Sequence, residues 1–129
     1  MNQFGAKAYH NTAVQTASKE KILLMLYESC IRNLKKAQIA MEAKNYSEKG
    51  MTLGKAQDII NELTNSLNHE VGGAIAEQLA GLYLHLFQET TKANIENDPK
   101  KIAHCVKILE TLYSGWKEAI EKLKGGTQK

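Results

Sequence analysis

His85 and Glu89 stand four residues apart in text of helical character, a spacing that puts two metal-binding side chains on one helix face. A polar surface pair is the plainer reading of the same two residues. His104 with Lys107 echoes the His-x-x-Lys-Gly of histidine phosphotransfer bundles, in which an imidazole carries a phosphoryl group. Here Ile108 stands where a glycine would let a response regulator approach closely. Gly54-Lys55 lacks the upstream glycine of a phosphate-binding loop, and Ala56 follows it where a Ser or Thr is needed for magnesium. The chain contains no Glu-x-x-His, no His-Glu-x-x-His and no closely spaced Cys/His set, so the common bundle-iron and zinc patterns are missing. A serine nucleophile would need a histidine base and a strained elbow, and no segment supplies them. His10 and His69 carry no pattern. These residues imply no enzyme, no resident metal and no cofactor, and the chain reads as a binding protein.

The elements that would position any partner-binding residue are helices. One Pro, glycines gathered at breaks and a predominance of Ala and aliphatic residues argue against a β-rich fold. Residues 1–17 show no sustained period and read as a loose N-terminal segment. Ser18 is a suitable N-cap, with Glu20 in the first turn. Leu23, Tyr27, Cys30, Leu34, Ala37 and Met41 then alternate spacings of four and three, which predicts a helix over 18–43. Ser47 is the expected cap of a second helix over 47–67, with a seam of Leu53, Ala56, Ile60, Leu63 and Leu67. Gly72-Gly73 can turn the chain with positive φ. A third helix, 74–95, carries two adjacent apolar rows: Ile75, Leu79, Leu82, Leu86 and Ala76, Ala80, Tyr83, Phe87. Asp98-Pro99 is the cleanest helix start in the chain. The fourth helix, 98–124, carries Ile102, Cys105, Leu109, Leu112, Trp116, Ala119 and Leu123, before Gly125-Gly126 and a frayed end at 125–129. Four helices with short connections imply an all-α, antiparallel up-down-up-down bundle.

At 129 residues this is a single domain with one core. A net charge of +3, with acids and bases interspersed, is too weak for nucleic acid or a membrane surface. No apolar run reaches the ~18 residues of a membrane span, and the N-terminus lacks a signal-peptide pattern. Cys30 and Cys105, far apart and without CxxC spacing, read as reduced packing residues of a cytosolic protein.

A bundle helix needs apolar residues at about three positions in seven. The third helix exceeds that, Ile59 widens the second, and Ile22–Tyr27 is apolar all round. The surplus has a functional reading: a groove that takes an amphipathic helix from another chain. Its candidate lining is Ile59, Leu63, Leu67, Ile75, Leu79, Leu82, Tyr83 and Leu86. A homodimer interface is the alternative, leaving the chain a monomer or a weak dimer. The N-terminal segment is a candidate reversible cover. Burying Tyr9 contributes about 4–5 kcal/mol and Val14 about 2 kcal/mol. Ordering Tyr9–Val14 costs about 6–12 kcal/mol, so the terms nearly cancel.

Ala8-Tyr9, Val14-x-Thr16-Ala17-Ser18 and Ile22-Leu-Leu-Met-Leu-Tyr27 resemble the start of the FliS family of flagellar secretion chaperones. The resemblance continues through Lys55-Ala-Gln-Asp-Ile-Ile60, Ser66-Leu67, Glu70-x-Gly72-Gly73-x-Ile75-Ala76, Leu82-Tyr83, Ala93-Asn94-Ile95-x-Asn97-Asp98 and Trp116-Lys-Glu-Ala119. It spans residues 6–120 in order and without evident gaps. It implies a cytoplasmic four-helix bundle that binds the disordered C-terminal region of flagellin in apolar grooves, blocks premature filament assembly and delivers its cargo to the export gate protein FlhA. It also implies that Tyr9 covers the groove and docks to the gate, with Ala6 in the place of an apolar residue three positions earlier. The chain departs from the family pattern at Lys19 (commonly Pro), Asn68 (Asp), Ala74 (Glu) and Leu84-His85 (a polar-aromatic pair).

Overall fold

The computed structural model describes residues 18–127, with side chains as far as Lys124. Four helices follow one another: α1 (Lys19–Glu42), α2 (Tyr46–Asn65), α3 (His69–Glu96) and α4 (Pro99–Thr127). Each is joined to the next by two or three residues, too few for anything but an antiparallel neighbour. The helices close into a ring in which α1 and α3 both pack against α2 and α4. The result is an antiparallel up-down-up-down four-helix bundle. Among the four adjacent pairs, α1–α2 has the most extensive contact and α3–α4 the least.

Side chains satisfy the helix starts in turn. Ser18 Oγ accepts from the Lys21 amide at 3.1 Å. Asn45 Oδ1 accepts from the Glu48 amide, so Asn45 and not Ser47 caps α2. Asn68 Oδ1 accepts from the Val71 amide, which starts α3 five residues earlier than Ala74. The break expected at the glycine pair survives as a kink inside α3, where Gly73 sits at φ 52, ψ −123. Gly72 fills a different need, because a Cβ there would lie 2.9 Å from the Cβ of buried Ala76. Asp98 Oδ1 accepts from the Lys100 amide in the first turn of α4. That helix continues through Gly125-Gly126 to Thr127, because glycine lowers helix propensity by about 1 kcal/mol without forbidding the conformation.

The core contains most of the expected stripes. Tyr27, Cys30, Leu34, Ala37 and Met41 of α1 are buried, as are Leu53, Ala56, Ile60 and Leu63 of α2. From α3 the core takes Ala76, Tyr83 and Leu86, drawn from both apolar rows, and Thr90 and Ala93 beyond them. In α4 it takes Ile102, Cys105, Val106, Leu109 and Ile120, while Ala119 and Leu123 are exposed. The reason is geometric. A straight helix drifts ~20° per heptad from a strict seven-residue repeat, so three heptads after Ile102 the inward position has moved to Ile120.

The end holding the α1–α2 and α3–α4 turns is tied together by polar groups. Buried Lys49 donates from Nζ to the Asn94 carbonyl at 3.1 Å and to Asn97 Oδ1 at 3.3 Å. Asn97, left-handed at φ 51, donates in turn to the Met41 carbonyl. Gln38 reaches the Pro99 carbonyl, and Gln57 bonds the Phe87 carbonyl and the hydroxyls of Thr90 and Thr91.

Two expectations follow for stability. Lys44 ends α1 at φ 57, a conformation that costs a non-glycine residue about 1–2 kcal/mol. Lys44→Gly should therefore gain ~0.5–1 kcal/mol in a urea melt, after allowing for the extra freedom of glycine in the unfolded chain. The second expectation concerns pH. Burial pushes the Cys30 and Cys105 thiols up to about 12, and burial also raises the Tyr27 hydroxyl. These groups hold protons in the native state that the unfolded chain releases from about pH 9 upward. Stability should be intact at neutral pH and fall as the pH rises toward 12, with a lower denaturation midpoint at pH 10.5 than at pH 8.

Candidate functional site

A layer of aromatic residues crosses the middle of the bundle. Trp116 Nε1 donates to the Tyr27 hydroxyl at 3.2 Å, and the hydroxyls of Tyr27 and Tyr83 lie 2.6 Å apart. This chain ties α4 to α1 and α1 to α3, helices on opposite sides of the ring. Burial raises both phenols. The Tyr83 proton is held further by its hydrogen bond to Tyr27 and then by that ring's charge.

From this layer toward the α2–α3 turn the apolar side chains are less well enclosed. In α1, Ile22, Leu23, Leu24 and Leu26 stay half-buried and Met25 is exposed. In α3, Val71 and Ile75 are exposed, Ile75 to 65%, while Leu79 and Leu82 are half-buried. Leu84 projects from a third side of α3 and is 57% exposed.

Among the described residues, two grooves run along α4. The first, about 400 Å³, lies against α3 and is lined by Leu82, His104, Lys107, Ile108, Thr111 and Leu112. Leu82, Ile108 and Leu112 give it an apolar floor, and His104 and Lys107 a polar edge. The second, about 480 Å³, lies against α1. Ile31, Ile39 and Tyr113 are its apolar part, and Arg32, Lys35, Lys36, Glu28 and Glu110 its charged part. Two bonds cross it: Lys35 to Glu110 at 3.4 Å, and the Tyr113 hydroxyl donating to Glu28 at 2.7 Å. That acceptor makes the Tyr113 proton harder to remove, with small additions from burial and from the Glu28 charge.

The sequence-predicted lining divides into three groups. Leu63, Tyr83 and Leu86 belong to the core and present no surface, because the helix period turns them inward. Ile59, Leu67 and Leu79 are half-buried and rest on the core from outside. Ile75 is exposed, and Leu82 alone of the set lines a groove. Ala6, Tyr9 and Val14 lie outside the described residues. Sequence reasoning missed the α4 wall of the first groove and the whole of the second. Leu112 belongs to the expected α4 stripe, and Ile108, four residues before it and off that stripe, was the available signal. Ile39, on the far face of α1 from its stripe, offered none.

No group of three or more His, Cys, Asp or Glu among the described residues is placed to hold a metal ion. No described helix is long and apolar enough to cross a membrane. Fold and grooves together define an all-α bundle that presents grooves along α4 and, among the described residues, no assembled catalytic constellation.

Comparison with known proteins makes the assignment specific. A family model described as "Flagellar protein FliS" matches residues 1–123. The chain is 37% identical to the flagellar secretion chaperone FliS of Vibrio cholerae over 114 residues, 85% of this chain and 84% of that protein. It is 32% identical to the FliS of Salmonella typhimurium over 123 residues, 92% of this chain and 91% of that one. It superposes on a bacterial flagellar chaperone crystal structure with a TM-score of 0.77 at 22% identity, covering 92% of this chain and 98% of the other, a likeness of fold. The chain belongs to the FliS family, a family of flagellar secretion chaperones and not of enzymes.

The aromatic layer yields a direct test. Tyr27→Phe removes the shared hydroxyl and strands the Trp116 and Tyr83 polar groups, at a cost of about 1–3 kcal/mol. Denaturant unfolding followed by Trp116 fluorescence measures the loss, and an unchanged midpoint contradicts the network.

Proposed function

We propose that this chain is a cytosolic export chaperone for flagellin. It holds the disordered C-terminal segment of flagellin as helices laid into its apolar grooves, keeps that segment from polymerising, and delivers it to the export gate protein FlhA. The observation that carries this reading is the apolar-floored groove between α3 and α4, beside which Val71 and Ile75 of α3 are also exposed toward the α2–α3 turn. Family membership supports the cargo class. An amphipathic helix lays residues at i, i+3, i+4 and i+7 into a groove, and Leu82, Ile108 and Leu112 offer them a non-polar seat. Flagellin's assembly surface, buried in the filament, is exposed in the monomer, and the groove hides it until export. Tyr9, with Ala6 preceding it, is the proposed docking element for the gate, and Tyr9 and Val14 the proposed displaceable cover. Membership in a chaperone family leaves the phosphotransfer reading of His104 without support.

The test is titration with a peptide of the C-terminal ~40 residues of the cognate flagellin, a length that covers the bundle with two helices of ~20 residues each. Expected are a 1:1 complex, a gain of helicity and a large negative heat-capacity change. Ile108→Asp, at a half-buried position on the groove floor, should weaken binding at least tenfold while leaving the far-ultraviolet spectrum unchanged. Absence of binding across the micromolar range would falsify the reading. Full binding by the Ile108→Asp chain moves the site away from this groove.

A further inference from the structure

His85 and His104 belong to neither the core nor the groove floor. Both are exposed, one on α3 and one on α4. Their rings meet edge to face across the adjacent helix pair with the least contact, centroids 6.0 Å apart and planes at 88°. A metal ion ~2.0–2.1 Å from an imidazole nitrogen lies about 3.2 Å from that ring's centroid. Two imidazoles on one ion then have centroids about 5.2 Å apart in tetrahedral geometry, and about 6.4 Å apart at the linear limit. The observed separation falls between these values. The perpendicular rings need only rotate about their own side-chain bonds to aim at a common point, a fast motion for exposed residues.

The geometry points to a divalent transition-metal site in which His85 and His104 are the two protein ligands, bridging α3 and α4. Imidazole ligands suit zinc, copper and nickel, and the usual affinity order places Cu²⁺ above Ni²⁺ and Zn²⁺. Glu89 lies one turn beyond His85 on α3. It reaches Lys92 only at 3.9 Å. Glu89 supplies the negative charge that favours a cation, against the opposing charge of Lys107 one turn along α4 from His104. No third ligand is gathered among the described residues, so water completes the coordination. Lys107 and His104 also edge the α3–α4 groove, which places the metal at its rim as a staple between the two walls.

The experiment uses the untagged full chain with Cu²⁺ or Zn²⁺ alone. Calorimetry should give one site per chain, and the Cu²⁺ electron paramagnetic resonance spectrum should show coordination by two imidazole nitrogens. Each metal should raise the melting temperature, since it binds the folded pair of helices and not the unfolded chain. His85→Gln and His104→Gln should each lower affinity at least tenfold and abolish the two-nitrogen signature, whereas His69→Gln and His10→Gln leave both unchanged. The proposal fails if neither metal binds at up to about 1 mM, if the spectrum shows a single imidazole, or if either of the first two variants keeps the parent affinity. Loss of the site in His10→Gln or His69→Gln also overturns it.

Discussion

The hydrogen-bonded chain from Trp116 through Tyr27 to Tyr83 is the constraint on which the rest of the bundle depends. Ring neighbours in a four-helix bundle can slide past one another by a turn with modest loss, because apolar contacts have no direction. A phenol pair at 2.6 Å cannot. Buried polar groups that lose their partners forfeit desolvation energy with no return. The chain therefore fixes the height of α1, α3 and α4 relative to one another. It also sits where the character of the bundle changes. On one side Lys49, Asn97, Gln38 and Gln57 sew helix to helix and helix to turn. On the other side contact is largely through aliphatic side chains, many of them half-buried.

That polarity separates two tasks within one small core. The sewn end, with its left-handed Asn97 and buried Lys49 amine, gives the molecule a unique structure. The aliphatic end can exchange one set of apolar neighbours for another at little cost, because dispersion and burial do not specify a partner. The kink at Gly73 belongs to the second end. It redirects the first turn of α3, and Gly72 lets that turn approach Ala76 more closely than any side chain would allow. Val71 and Ile75 are left facing solvent on either side of the kink.

The bundle was legible in the sequence because its signals are local and repeat. Tyr27, Cys30, Leu34, Ala37 and Met41 recur at helical spacing, and Asp98-Pro99 marks a start whose chemistry admits few alternatives. The caps at Asn45 and Asn68 were harder to read, since Ser47 and the glycine pair offered competing local chemistry and only the backbone geometry decides between them. The groove was legible in kind but not in place. An excess of apolar residues on α3 says that some must lie outside the core. Which ones depends on the rotation of α3 about its own axis, and that is set by the tyrosine pair, a contact between residues 56 apart in sequence. Tyr83 and Leu86 consequently turn inward while Leu82 and Ile75 turn out. The inward face of late α4 was misplaced for a related reason. A seven-residue repeat read along a straight helix loses its phase, so Ile120 replaces Ala119 in the core.

A groove of this kind suits a cargo that must later be surrendered. Its floor is formed by a few aliphatic side chains, and the polar groups at its edge, His104, Lys107 and Thr111, are exposed to solvent. A chain that folds as it binds spends part of its interaction energy on its own ordering, so affinity is built from area and not from a few deep anchors. Affinity built from area can be lost in steps, one helical segment at a time. A deep pocket with buried charges would release its ligand only in a single costly event. The shallow α3–α4 seam, least packed of the four and held at its middle by one hydrogen-bonded chain, therefore fits the proposed transfer of cargo to an export gate better than a tighter bundle would.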